Sequence, residues 1–160
     1  MKKSVWDIFA PIYERAMKSQ KHIYDFMYAE ISSAVKGKSV LELATGPGMI
    51  ARHIAPSASS VIATDFSPKM IETAQKKTAA ENVTFEVADA TDLRFSDKSF
   101  DAVIIANALH VMPNPEKALA ETAFPCGHTI QSRLDGRGIQ GLSFRKRLAG
   151  HEKPDCVRAH

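Results

Sequence analysis

A short strand that empties into a glycine turn constrains this chain most. Ser39-Val-Leu-Glu-Leu43 runs without a spacer into Ala44-Thr-Gly-Pro-Gly48. Glycine lets the backbone turn sharply and lets a ligand approach with no Cβ in the way. Met49–Ala55 follows as a helix with Ile50 and Ile54 on one face, and Pro56 closes it. A helix starting at such a turn aims its unpaired N–H groups at whatever lies above. Gly46-Pro-Gly48-Met-Ile-Ala51 satisfies the loose pattern G-x-G-x-x-G/A, and Asp65 lies 19 residues after Gly46. That is close to the ~20 at which an acid meets ribose hydroxyls. The pattern indicates an adenosine-containing ligand at the carboxyl ends of the first two strands. It does not choose between NAD and another adenosine cofactor. The plain alternative is a structural turn that binds nothing.

The flanking sequence repeats the strand-then-helix rhythm. Residues 20–35 place Ile23, Phe26, Met27, Ile31 and Ala34 or Val35 at helical spacing, and Lys36-Gly37-Lys38 stops that helix. A shorter helical piece over Val5–Met17, kinked at Pro11, precedes it. Ser60–Thr64 is the second strand, ending at Asp65, and Ser67 with Pro68 opens a helix running to about Ala80. Val83–Ala88 is a third strand ending at Asp89, and a polar loop over 91–99 leads to a fourth, Phe100–Ala106. Asn114 and Pro115 start a helix to about Ala123. Strands alternating with helices predict right-handed βαβ units and a doubly wound parallel sheet of Rossmann-like α/β class. Val103-Ile-Ile-Ala106 is apolar throughout, as in a strand covered on both faces.

Charge divides the chain unevenly. Its 160 residues carry +3, but residues 1–121 hold 14 basic against 15 acidic side chains, and residues 122–160 hold 7 against 3. Both cysteines, Cys126 and Cys156, and five of eight glycines also lie after residue 121. No apolar run reaches the ~20 residues of a membrane span, and Asp7 and Glu14 interrupt any signal-peptide core. A cytoplasmic setting is the expectation, given no cysteine before residue 126.

Four separated segments resemble the class I S-adenosylmethionine-dependent methyltransferases, in particular the small ubiquinone/menaquinone-biosynthesis-like group. They are Val40-Leu-Glu-Leu-Ala-Thr-Gly-Pro-Gly48, Ala63-Thr-Asp-Phe-Ser-Pro-Lys-Met-Ile71, Val87-Ala-Asp-Ala-Thr-Asp-Leu93 and Ser99-Phe-Asp-Ala-Val-Ile-Ile-Ala-Asn-Ala-Leu-His110. Trp6-Asp-Ile-Phe-Ala-Pro-Ile-Tyr13 is similar to the family's N-terminal lid, which makes residues 1–38 a helical lid and 39–121 the cofactor-binding core. The resemblance implies S-adenosylmethionine as cofactor and a small-molecule methyl acceptor. It implies that Ala44, Thr45, Gly46, Pro47 and Gly48 line the methionine part of the cofactor, with Glu42 at the base of the site. Asp65 would accept from both ribose hydroxyls, which suits a group that only accepts. Phe66 and Met70, with Ser67 between them, would flank the adenine. Asp89 and the Ala90 backbone would meet the adenine edge, Asn107 would sit near the amino-acid end, and Tyr13 would close over the site. His110 is the candidate base for the acceptor; its alternative is a loop histidine with no proton to move. His53 reads as a surface residue and Lys76-Lys77 as a solvated helix face.

Other constellations carry less. Asp92, Asp97 and Asp101 fit no Ca²⁺-loop spacing, and Cys126, His128, His151 and Cys156 match zinc spacings poorly. No metal is expected. Arg133, Arg137 and Arg145-Lys-Arg147 read as a basic solvated tail before they read as a nucleic-acid contact.

The resemblance stops near residue 121. The family's sheet has seven strands in the order 3-2-1-4-5-7-6, and no strand pair is evident in 122–160, where Leu, Ile, Val and Phe number 8 of 39 residues. The expectation is an incomplete sheet of strands one to four with a non-family or disordered tail. A reading-frame change or a truncated relative would produce that break, and translating the other two frames past codon 121 would test it. An exposed fourth-strand edge would then recruit a second copy or aggregate. The rival functions are a remnant that holds S-adenosylmethionine or its demethylated product without turnover, and an NAD-dependent oxidoreductase.

Overall fold

The computed structural model describes residues 21–96 and 98–122, the single positions Trp6, Ile8 and Ile12, and the backbone of strands at 128–135, 138–146 and 157–158. Helix α1 (Lys21–Ala34) leads into β1 (Ser39–Leu43), α2 (Met49–Ile54), β2 (Ser60–Asp65), α3 (Pro68–Lys77) and β3 (Val83–Val87). Then come β4 (Ala102–Ala106), a 3₁₀ turn at Leu109–Val111, α4 (Pro115–Thr122), β5 (His128–Asp135), β6 (Gly138–Lys146) and β7 (Val157–Arg158). The strand order is β3-β2-β1-β4-β5-β6-β7. β1 pairs in parallel with β2 and β4, and β2 with β3, as the alternation of elements requires. Of the predicted helix over 5–17, Trp6 and Ile8 are helical, and the rest except Ile12 lies outside the described residues.

Side-chain alternation along the strands builds two cores. Val40, Val61, Ala63, Ala102 and Ile104 face α1, α2 and α3, packing with Met27, Ile31, Ile50, Ile54, Ile71 and Ala74. Leu41, Leu43, Val103 and Ile105 face the other way, against Leu93, Phe95, Leu109, Met112 and Leu119. All five residues of β4 are buried. The starts of β1 and β4 are tied by Asp101, whose Oδ2 accepts from the Ser39 amide at 2.9 Å and hydroxyl at 2.7 Å.

The expectation of an incomplete sheet is corrected here. β5 pairs in parallel with β4 from Val103↔Thr129 to Ala106↔Ser132, and β6 returns antiparallel against β5. The fourth-strand edge is therefore covered, and the dimer expected through it loses its basis. The physical reason is that a ladder is made by the backbone, so a tail poor in apolar side chains can still complete one. The sequence held a signal for this. Asp135 pairs with Gly138, which leaves two residues between the strands, and the first of them is Gly136, the residue type that two-residue hairpin loops favour at that position. The order also departs from 3-2-1-4-5-7-6, because the antiparallel strand beside β5 arrives by that short return and not by a longer crossover.

Candidate active site

The strands deliver their carboxyl ends to one edge, and there a cavity of about 420 Å³ opens. Ala44 and Gly46 from the turn after β1 line it, with Asp65, Phe66 and Met70 from β2 and α3. Ala88, Asp89, Ala90 and Thr91 follow β3 into it, and Ala106, Asn107 and Ala108 follow β4. Ligands in open α/β sheets bind at this edge, where strand order reverses.

The glycine turn is held open by its backbone. Ala44, Gly46 and Gly48 have φ of +55°, +58° and +75°. A Cβ on Gly46 would meet nothing within 4 Å, so it would stand in the cavity's space. A Cβ on Gly48 would come within 2.8 Å of the Phe85 ring and 3.0 Å of Ala74, because α2 and α3 close tightly on β3 there. One glycine clears space for a ligand and the other permits packing.

Asp65 locks two turns together. Its Oδ2 accepts from Gly46 N–H at 2.8 Å and its Oδ1 from Ser67 N–H at 2.9 Å. Ser67 caps α3 by accepting from Met70 N–H at 3.2 Å. Asp89 is built similarly: the Thr91 amide and hydroxyl both donate to its Oδ1 at 2.8 Å. Those bonds hold its carboxyl below the usual carboxylate range. The Leu93 amide donates to Glu121 Oε2 at 3.3 Å, so α4 steadies the same loop.

Below the turn three buried polar atoms lack partners among the described residues: Glu42 Oε2, Thr45 Oγ1 and Asn107 Oδ1. Glu42 is 1% exposed and Thr45 6%. Burial, with Asp65's charge adding to it, pushes the Glu42 carboxyl up to about 8.

Of the residues singled out from sequence, Ala44, Gly46, Asp65, Phe66, Met70, Asp89, Ala90 and Asn107 meet at the cavity. Glu42, Thr45, Pro47, Gly48 and Ser67 support its wall without lining it. Tyr13 lies outside the described residues. His110 is exposed and does not line the cavity, although Val111, Met112, Pro113 and Asn114 beyond it do. Sequence reasoning missed those four and read Asn114 only as a helix start. The signal was proximity: each follows the fourth strand within a dozen residues, where chain must cross the site. Trp6 also lines the cavity. His53 is exposed, and its ring stacks on Tyr28 with centroids 3.7 Å apart.

Residues 40–124, more than half of the chain, match the sequence-family model of a methyltransferase domain. The chain belongs to this methyltransferase family. Its fold is the class I α/β arrangement that the four sequence segments implied. A demethylmenaquinone methyltransferase of Clavibacter sepedonicus is 43% identical over 88 residues, 54% of this chain and 36% of that protein. The ubiquinone/menaquinone biosynthesis C-methyltransferase UbiE of Geotalea daltonii is 30% identical over 131 residues, 74% of this chain and 55% of that protein. Among solved structures, the S-adenosylmethionine-dependent methyltransferase of Mesorhizobium loti superposes with a TM-score of 0.57 at 27% identity, covering 62% of this chain and 48% of that one. The chain thus spans roughly a third to a half of the length of these curated relatives. They give the nicotinamide alternative no support. Among the described residues, no helix is long and apolar enough to cross a membrane.

Proposed function

We propose that this methyltransferase-family chain binds S-adenosylmethionine in the 420 Å³ cavity and serves methyl transfer to a small, partly apolar acceptor of quinone-precursor type. The observation that carries the reading is Asp65, a carboxylate at the cavity wall and the end of β2, oriented there by the Gly46 and Ser67 backbone amides. Gly46, with no Cβ to intrude, supports it, and so does Asn107, whose buried Oδ1 has no partner among the described residues. The residues therefore fit the cofactor.

In this reading Asp65 holds the ribose and Asp89, tied down at Oδ1 by Thr91, turns its carboxylate to the adenine amino group. Phe66 and Met70 contribute apolar flanks, and Ala44, Gly46 and Asn107 hold the amino-acid end. Glu42, Thr45, Pro47, Gly48 and Ser67 shape the wall. The cofactor supplies a methyl group already electrophilic on a sulfonium. What remains for the protein is to hold the acceptor in line and keep water away, so catalysis is mostly positioning. Trp6, Val111, Met112 and Pro113 form the apolar part of the lining and suit an acceptor that is itself partly apolar. His110 is exposed next to the cavity-lining Val111 and does not itself line the cavity.

The relatives' names support the acceptor class: two of them act, by name, in menaquinone or ubiquinone methylation. The test is transfer of labelled methyl from S-adenosylmethionine to a demethylated naphthoquinol. Labelled product supports the enzyme. Tight cofactor binding with no transfer to any quinol supports the second reading, a chain that holds the cofactor without turnover.

A further inference from the structure

Side chains hold the glycine turn at two successive residues, and only one of those side chains belongs to the cavity. Asp65 accepts from the Gly46 amide at 2.8 Å. One residue on, the Pro47 carbonyl accepts from Arg52 Nη1 at 2.6 Å. Proline has no N–H, so this carbonyl is the one backbone hydrogen-bonding group that Pro47 has. Gly48, the N-cap of α2, sits at φ +75° and gives the helix no side-chain cap. The hold on the turn's exit comes instead from further along α2. Helical side chains lean back toward the N-terminus, over the turn before them. Arg52 lies four residues past Gly48, so its guanidinium runs back across the helix start and reaches Pro47. Pro47 is buried and Arg52 half-buried, while Ile50, Ala51 and Ile54 take the core face of α2. Glycine has many other conformations open to it, and a charged donor makes a stronger bond than a neutral one. A charge-assisted bond between the two positive-φ glycines therefore selects the open shape of the turn.

We propose that Arg52 is a positioning residue for methyl transfer, acting through the Pro47 carbonyl to keep the glycine turn in the shape that receives the amino-acid end of the methyl donor. This rests on the assignment of the cavity to S-adenosylmethionine. Arg52 does not line the cavity, so its effect is indirect. With the guanidinium in place, the turn stays between the Asp65 carboxylate and the Pro47 clamp, and Ala44 and Gly46 present one wall to the ligand. Without it the glycines regain other conformations, and binding first has to select the open one. Apparent affinity falls in proportion to the fraction of molecules that are competent to bind. The adenosine end is met by Asp65 and Asp89, whose bonds to Ser67 and Thr91 do not pass through Pro47. The loss therefore falls on ligands that carry the amino-acid chain.

The experiment is a calorimetric titration of the full chain, of Arg52→Met and of Arg52→Lys with two ligands. One is S-adenosylhomocysteine; the other is methylthioadenosine, which has the adenosine and the thioether but not the amino-acid chain. Methionine keeps an unbranched side chain without a donor, and lysine restores a charged donor. Arg52→Met is expected to lose about tenfold in affinity for S-adenosylhomocysteine and less than about twofold for methylthioadenosine. Arg52→Lys is expected to recover part of that loss. Equal losses for the two ligands, no loss, or no recovery in Arg52→Lys overturns the proposal and leaves the cofactor assignment standing. Nitrogen NMR of the unaltered chain decides the case in which Arg52→Met does not fold. With S-adenosylhomocysteine bound, the Arg52 guanidinium is expected to show distinct, slowly exchanging Nη signals, and a single averaged signal overturns the proposal. Failure of the unaltered chain to bind either S-adenosylmethionine or S-adenosylhomocysteine overturns the cofactor assignment and this proposal with it.

Discussion

Gly46 and Gly48 both hold positive φ, yet a methyl group added to each meets a different neighbourhood. At Gly48 it collides with Phe85 and Ala74, so Gly48→Ala combines overpacking with left-handed strain. The expected loss is at least about 2 kcal/mol, a fall of roughly 5 °C or more in Tm. At Gly46 the methyl enters the cavity, so Gly46→Ala keeps more stability and loses cofactor affinity by on the order of tenfold or more. Melting curves and titration on the two variants check this. Equal melting temperatures would count against the packing role of Gly48. Glu42 gives a pH signature of stability. Its folded carboxyl titrates near 8, above the ordinary carboxyl range that it has in the unfolded chain. The neutral acid is thus the folded form. Glu42 favours folding fully below the unfolded value, and that contribution is lost as pH rises from about 4.5 to about 8. Glu42→Gln is expected to flatten this decline, and to be more stable than the original chain at pH 8. Urea midpoints across pH 5 to 9 measure it.

Between residues and fold, the elements differ in how openly the sequence announces them. β1 is read from Ser39 to Leu43 with the bounds the structure gives it, because apolar residues stop where the glycine turn begins. α3 is announced by Ser67 and Pro68, and the structure shows the serine capping Met70 with proline at the first helical position. Its end is less legible. Thr78-Ala-Ala80 carries no breaker, yet the helix stops at Lys77. Ser67→Ala is expected to cost about 1 kcal/mol, seen as a lower urea midpoint with cofactor affinity reduced only slightly. An unchanged midpoint would remove the cap from the account. The cavity was legible where it depends on turn glycines and strand-end acids, whose types are dictated by backbone shape and hydrogen bonding. It was not legible at Met112, Pro113 and Asn114, which reach the cavity through the path of a loop. β5 and β6 went unread because glycine and basic residues hide a hairpin whose clearest local mark is Gly136, just after the last paired residue of β5.

At the scale of the molecule, the +3 charge carries no message about an acidic partner, since residues 1–121, with 14 basic against 15 acidic side chains, are nearly neutral. The sheet explains why the C-terminal strands matter despite contributing no cavity lining among the described residues. β4 is buried on both faces and delivers Ala106 and Asn107 to the cavity, so the strand beside it decides whether that segment stays fixed. A chain ended after Thr122 would bare β4's edge, and such edges associate. Sedimentation is expected to show self-association of that shortened chain beyond any of the full one. Identical behaviour of the two would mean β5 does not protect β4. The central claim is that an adenosine-bearing sulfonium occupies the cavity through Asp65. Its most direct measurement is a titration of the full chain and of Asp65→Ala with S-adenosylmethionine and NAD. The account expects the full chain to bind S-adenosylmethionine and not NAD, and Asp65→Ala to lose on the order of 100-fold in affinity. Binding of NAD in preference, or S-adenosylmethionine affinity unchanged by the loss of Asp65, would contradict it.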